Sequence, residues 1–360
     1  MSTIKATNFQ HASATNPAIV LAADGSATAN VSSINGGPLA GMRNAIINGN
    51  FDIWQRGTSF TLAEYGADRW LNASVGSTHT ATRQAFTLGQ TAVPGEPTYF
   101  CRTVVVTSSG ASNFAILVQR IEDVRTFAGQ QVTVSFWAKV DSTKNIAVEL
   151  VQDFGTGGSP SAQVRAIGTT KVSIGTSWQK VTVTATVPSI SGKTLGTNGD
   201  SYLALTLWFD AGSDWNTSTD SLGQQSGTFD IAQVQVEPGP VATPFERRPI
   251  GTELALCQRY YERMQPRNSI CYFQAGNSAH IYVPWKVIKR TTPSIAFLNT
   301  TSNKIVFGSS GSTTFNGTYG IEGQNTYGTG ANATTSTSVL TAGQAGRFQV
   351  PPIITAESEL

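Results

Sequence analysis

The sequence predicts an all-β protein, a jelly-roll β-sandwich followed by a short helix and a smaller C-terminal β domain, with an extended N-terminal oligomerisation arm. Three observations carry this. Period-two alternation runs through QVTVSFWAKV and YLALTLWF. Glycine, Pro, Asn and Asp punctuate the chain between such runs. Only one segment, residues 250–265, carries a helical period.

Residues 1–42 read as a low-complexity arm. Its apolar residues (Ile4, Phe9, Ile19, Val20, Leu21, Val31, Ile34 and Leu39) are separated by turn signals at Asn16-Pro17, Asp24-Gly25 and Gly36-Gly37. They are too few to offset the ordering of about 40 residues at roughly 1–2 kcal/mol each. The arm is therefore either disordered or buried against other chains, and the second option predicts an oligomer in which Ile19, Leu21, Val31 and Ile34 cover one another.

Residues 43–249 read as the sandwich. In the first alternating run Val132, Val134, Phe136, Ala138 and Val140 share one face, opposite Thr133, Ser135, Trp137 and Lys139. In the second, Leu203, Leu205, Leu207 and Phe209 oppose Tyr202, Ala204, Thr206 and Trp208. Further strands are expected at Ala45–Ile47, Tyr99–Val106, Phe114–Ile121, Ile146–Val151, Trp178–Val187 and Thr228–Val236. Short strands without a helical period between them give a two-sheet sandwich.

Residues 250–268 read as a linker helix. Thr252 is the expected N-cap, Leu254, Cys257, Tyr261 and Met264 form one apolar stripe, and Pro266 ends it. Residues 269–360 read as the smaller β domain, through SICYFQA, AHIYVPWKVI, SIAFLN, KIVFG, STSVLTA and GRFQVPPIITAESEL.

Composition narrows function. Lys and Arg number 24 against 22 Asp and Glu, and charged residues are 13% of the chain. Scattered basic residues argue against nucleic-acid binding. No apolar run approaches the roughly 18 residues that cross a bilayer, and no leader is expected in MSTIKATNFQHASATNPAIVLAADG, so folding in a cytoplasm without membrane insertion is expected. Cys101, Cys257 and Cys271 match no metal spacing and are expected as reduced thiols, against the alternative of a single Cys257–Cys271 bridge. The histidines, His11, His79 and His280, lack triad or metal spacing, and no catalytic residues are assigned.

The candidate sites are aromatic. Trp137 and Trp208 project from the side opposite the core stripe of their own strands, where an indole can stack on the apolar C–H face of a sugar, with Tyr202, Lys139 and Glu149 supplying polar groups. The alternative is that both rings are covered by loops, the next domain or a neighbouring subunit. Trp215, in the polar loop AGSDWNTSTD, is either a third contact or folded back on the sandwich. Asn48, Asp52 and Asp230 are a candidate structural Ca²⁺ site if the first and last strands pair, against the alternative of hydrogen bonds to turn backbones.

Several segments carry a resemblance. RNAIINGNFDIWQRGTSFTLAEYGADRWL (43–71), VTVSFWAKV (132–140), TSWQKVTVTATVP (176–188) and FDIAQVQVEPGPVATPFERRP (229–249) together resemble a carbohydrate-binding-module-like jelly roll of bacteriophage virion proteins. ELALCQRYYER (253–263), YVPWKVIKRTTPSI (282–295) and ITAESEL (354–360) look like the end of phage tail fibre and appendage proteins, and FQHASATNPAIVLAADG (9–25) is similar to attachment segments preceding such domains. The resemblance implies a virion structural protein, a homotrimer joined to other virion proteins through its arm, that attaches to host surface polysaccharide. Its rivals are a purely architectural component, such as a head fibre or connecting fibre segment without glycan affinity, and a cell-surface depolymerase. In the related sugar-binding modules a calcium ion often sits near the position of Asp52, but the last strand here, Asp230-Ile-Ala-Gln-Val, lacks the expected Asp pair.

Overall fold

A computed structural model describes residues 6–13, 15, 18–23, 27–29, 41–61, 63–267, 269–275, 278–298, 303–307, 311–315, 318–334 and 345–360. The chain divides into two compact units, one of residues 1–52, 57–248 and 360, the other of residues 53–56 and 249–359. Strand makes up 49% and helix 5%, so the fold is all-β, with the sandwich class expected for a jelly roll.

The first unit begins with a three-stranded antiparallel sheet of β1 (Asn8–Phe9), β2 (Ile19–Leu21) and β3 (Ala27–Ala29). The expected arm residues Val31 and Ile34 and the turns at Asn16-Pro17, Asp24-Gly25 and Gly36-Gly37 lie outside the described residues. The sandwich follows, with β4 (Ser59–Phe60), β5 (Glu64–Tyr65), β6 (Leu71–Val75), β7 (Thr78–Ala85), β8 (Tyr99–Val106), β9 (Phe114–Glu122), β10 (Gln131–Val140), β11 (Lys144–Asp153), β12 (Val164–Ile174), β13 (Gln179–Thr186), β14 (Tyr202–Ala211) and β15 (Gly227–Pro238). They form two six-stranded sheets, ordered β13-β10-β15-β8-β7-β4 and β12-β11-β14-β9-β6-β5.

Alternation decides the core. Val132, Val134, Phe136, Ala138 and Val140 of β10 are all buried, as are Leu203, Leu205, Leu207 and Phe209 of β14. Phe209 meets Phe229 of β15 with ring centroids 4.9 Å apart, which joins the two sheets. His79 of β7 is buried edge-on to Phe209 at 6.4 Å, and burial lowers its pKa to about 4.

The expected strand at Ala45–Ile47 is an irregular run. Asn44 takes the place of ladder partners: its amide donates to Val234 O at 3.1 Å, and its side-chain oxygen accepts from the Ile46 and Val236 amides. Gly49 follows because any Cβ there would lie 2.1 Å from Val234 O. Phe51 stacks on Trp70 at 5.2 Å, and the Trp70 indole nitrogen donates to Asn48 O.

The second unit contains α2 (Ile250–Gln258), preceded in chain order by the one-turn α1 (Asn216–Thr219) of the first unit. Its strands are β16 (Tyr261–Met264), β17 (Ile270–Ala275), β18 (Ser278–Pro284), β19 (Ser294–Leu298), β20 (Asn303–Phe307), β21 (Gly311–Phe315), β22 (Thr318–Gln324), β23 (Gly328–Thr334), β24 (Ala345–Val350) and β25 (Ile353–Glu357). The sheets are β16-β25-β19 and β21-β20-β24-β17-β18-β23-β22. Phe273, Ile281, Val283, Trp285, Phe348 and Ile354 belong to its core.

The helix is shorter than its period predicts. It stops at Gln258, Pro249 rather than Thr252 stands at its N-cap, and Tyr261 and Met264 lie on β16, paired with Glu357 and Ile354 of β25. The physical reason is tertiary. Tyr261 is buried under the Arg56 guanidinium at 3.6 Å, and Glu262 is buried against the Lys289 ammonium at 2.6 Å, positions that a continued helix would not give them. Cys101, Cys257 and Cys271 are buried and form no disulfide with one another, and burial pushes the first thiol up to about 12 and the last to about 11. Among the described residues no helix is long and apolar enough to cross a membrane.

Candidate functional site

Each sheet of the sandwich has an outward side, and the residues expected to form one sugar platform are split between them. Trp137 and Lys139 stand on the outward side of the β10 sheet, whereas Tyr202, Trp208 and Glu149 stand on the outward side of the β14 sheet. Alternation told inward from outward on each strand, but not which sheet the strand joined.

On the β14 side the alternative of loop cover holds. Trp208 is buried against Ala147, Ala211 and Leu222, with Trp215 at 5.2 Å and Phe114 at 5.9 Å. The segment Ser213–Thr219 folds over it, and the Trp215 indole nitrogen donates to Ser112 O at 3.0 Å. Glu149 is fully buried and accepts from the Trp208 indole, the Arg165 guanidinium and the Ala166 amide. Trp208 and Glu149 are buried and present no surface to a sugar, a correction to their expected role as sugar contacts, whereas Trp215 is half-buried and takes its expected alternative of folding back on the sandwich. Tyr202 is half-buried beneath Arg120 at 4.8 Å, and burial raises its phenol to about 12.

The expected calcium ligands do not fit a common ion. Asp230 is held in a bidentate pair by Arg102 at 2.8 and 2.9 Å, with Lys139 at 3.5 Å. The Asn48 amide donates to Asp68 O, and Asp52 accepts from Asn50 at 2.9 Å. Among the described residues no group of three or more His, Cys, Asp or Glu side chains stands close enough to hold a metal. The carboxylate of Asp210 is likewise saturated, by the Ser77 and Thr107 hydroxyls and the Gln225 amide.

On the β10 side a cleft of about 520 Å³ opens along the half-buried Trp137 ring. Lys180 lies opposite Trp137 in the β10–β13 register. Gln233 reaches the cleft because β15 bulges there: the pairing with β10 shifts between Ser135 and Trp137, and Gln233 takes a φ of 49°. Without the bulge, a residue between the inward-facing Ile231 and Val234 would not present this amide, which donates to Pro94 O at 2.7 Å. Phe245 and Arg247, from the segment after β15, and Asn50 also line the cleft.

Beside the cleft, Phe86, Phe100 and Trp178 pack with centroids 4.9 to 5.3 Å apart. The Lys139 ammonium sits 5.2 Å from the Trp178 ring and 5.7 Å from Phe100. Sequence reasoning missed Trp178, Lys180, Gln233 and Arg247. A signal existed for the first two, since Val181, Val183 and Ala185 are the buried residues of β13 and put Trp178 and Lys180 on the other side.

The second unit brings together a histidine and a carboxylate that sequence spacing did not predict. His280 Nδ1 lies 2.5 Å from Glu322 Oε1, Ser278 Oγ lies 2.8 Å from His280 Nε2, and the Tyr272 ring stacks on the imidazole at 5.1 Å. The Asn332 amide donates to the same Glu322 oxygen, so the group ties β18 to β22 across β23.

No family model and no curated protein matches the chain. Among solved structures it is similar to a CBM4 structure at 17% identity and TM-score 0.30, covering 53% of this chain and 98% of that one. It is also similar to a family 11 carbohydrate-binding module from Clostridium thermocellum, at 10% identity and TM-score 0.31, over 52% of this chain and 98% of that one. The enzymatically active domain of bacteriophage CBA120 tailspike protein 4 is 13% identical with TM-score 0.34, covering 55% of this chain and 22% of that one.

Proposed function

We propose that the sandwich binds a glycan in the Trp137 cleft, and that the chain is a tail fibre or appendage protein of a phage virion that attaches to host surface polysaccharide as a homotrimer. The observation that carries the glycan part is the half-buried Trp137 ring bordering an open cleft with Gln233, Lys180 and Asn50 around it. A flat apolar ring takes the C–H face of a pyranose, while amide and ammonium groups at the rim exchange hydrogen bonds with its hydroxyls. The virion part is supported by the resemblance of 43–71 and 253–263 to phage fibre segments.

The test is a glycan array and host-cell binding with the full chain and with Trp137→Ala. Binding that is lost in the variant, with an unchanged folded spectrum, supports the proposal. No binding of the wild-type chain to any glycan or to host cells leaves the architectural role in its place.

A further inference from the structure

The formal charges in the lining of the Trp137 cleft are both positive, Lys180 and Arg247. Their hydrogen bonds go to neutral backbone carbonyls: Lys180 Nζ donates to Thr243 O at 3.3 Å and Arg247 Nη1 to Gly95 O at 3.2 Å. The carboxylates of the surrounding strands are engaged elsewhere. Asp230 is held by Arg102 and Lys139. Glu237, fully buried, accepts from Arg43, from Gln235 and from the Thr243 hydroxyl and amide. Glu246 accepts from the backbone amides of Met42 and Asn44. Asp52, whose charge reaches Arg247, is partly buried and bonded to the Asn50 amide, and burial raises its pKa. Partial desolvation lowers the pKa of Lys180, with Glu237 acting in the opposite sense.

We propose that the Trp137 cleft selects a carboxylate-bearing sugar, with Lys180 and Arg247 receiving the carboxylate while the sugar ring lies on the indole. The inference rests on the glycan reading of the cleft and names its ligand class. In a uronic acid the carboxylate is carried at the edge of the ring, so the C–H face stays free to stack while the charge projects toward the rim. Arg247 offers the planar pair of donors that matches two carboxylate oxygens, and Lys180 a point charge beside it. A carboxylate at the rim would add a direct charged acceptor to two cations whose hydrogen bonds go to neutral carbonyls.

The experiment is a titration of the full chain with oligogalacturonate and with the same oligosaccharide after reduction of its carboxyl groups, repeated on an array of other acidic oligosaccharides and their carboxyl-reduced forms. Wild type, Trp137→Ala and the double variant Lys180→Gln/Arg247→Gln are compared, each checked for an unchanged thermal midpoint, since Lys180 and Arg247 are exposed. Binding of acidic members that weakens with added salt, falls about tenfold to a hundredfold in the double variant and is lost in Trp137→Ala supports the inference. Equal binding of acidic and reduced forms, abolished by Trp137→Ala, overturns the inference and leaves the glycan reading standing. No binding to any member, or binding that Trp137→Ala leaves unchanged, overturns the glycan reading and the inference with it.

Discussion

The Trp208 indole nitrogen donates to the Glu149 carboxylate at 3.1 Å, and both side chains are buried. The same carboxylate holds the Arg165 guanidinium, which lies 5.3 Å from the Trp215 ring. One carboxylate therefore fastens the segment Ser213–Thr219 over the β14 sheet. Trp208→Ala removes a buried indole and leaves Glu149 short of a donor, so a loss of about 3–5 kcal/mol is expected. Equilibrium urea unfolding of the variant checks it, and an unchanged midpoint would return Trp208 to the surface.

Trp137→Ala is expected to behave in the opposite way. Its ring is half-buried at an open cleft, so glycan binding falls while the thermal midpoint stays within a few degrees. Measuring both quantities on both tryptophan variants separates a binding ring from a packing ring.

This pair shows what sequence could and could not give. Period-two alternation placed Val134 and Leu205 in the core between the sheets, where they are buried, and put Trp137 and Trp208 on the opposite side of their strands. Whether an outward side is open depends on what covers it, and Trp208 is covered by Ser213–Thr219, a segment without periodicity. The cleft itself was hidden for another reason: Gln233 enters through a bulge, which breaks the alternation used to assign faces. Strand β12 escaped notice because the alternation in VRAIGTTKVSI breaks at Ala166 and Gly168, whose φ values are 57° and 62°. The helical spacing of Leu254, Cys257, Tyr261 and Met264 is real in the sequence, but pairing with β25 overrides it after Gln258.

His79 gives a pH-dependent term. Burial lowers its pKa from 6.5 to about 4, so between these values the unfolded chain binds more protons than the folded one. Stability from this group is complete above pH 6.5 and is lost as pH falls toward about 4, amounting to about 3 kcal/mol. His79→Phe, which keeps an aromatic ring beside Phe209 without a titrating group, should flatten this slope. Urea midpoints measured from pH 4 to pH 8 compare the two proteins, and identical slopes would assign the acid loss to other groups.

Gly49 should tolerate no side chain. A Cβ there would stand 2.1 Å from Val234 O, in the run that Asn44 ties to β15. Gly49→Ala must displace backbone on one side, and a lowered thermal midpoint is expected; because the same run leads to Asn50 at the cleft, ligand affinity should fall as well. A variant as stable as wild type would show that the run between Asn44 and Asn50 yields readily.

Oligomerisation is the remaining expectation for the arm. Its described part is a sheet of two- and three-residue strands, with Phe9 and Leu21 exposed at 47% and 39%. Strands of this length are too short to be stable alone, and exposed apolar side chains on them gain from cover by further copies. A cyclic trimer would bring three arms to one axis and present three Trp137 clefts together, so weak single-site glycan binding rises through effective concentration. Light scattering should therefore give three chains for the full protein, and one chain both for a variant lacking residues 1–42 and for Phe9→Asp/Leu21→Asp. A full-length monomer would end the trimer proposal, whereas a truncated protein that remains trimeric would move the interface out of the arm.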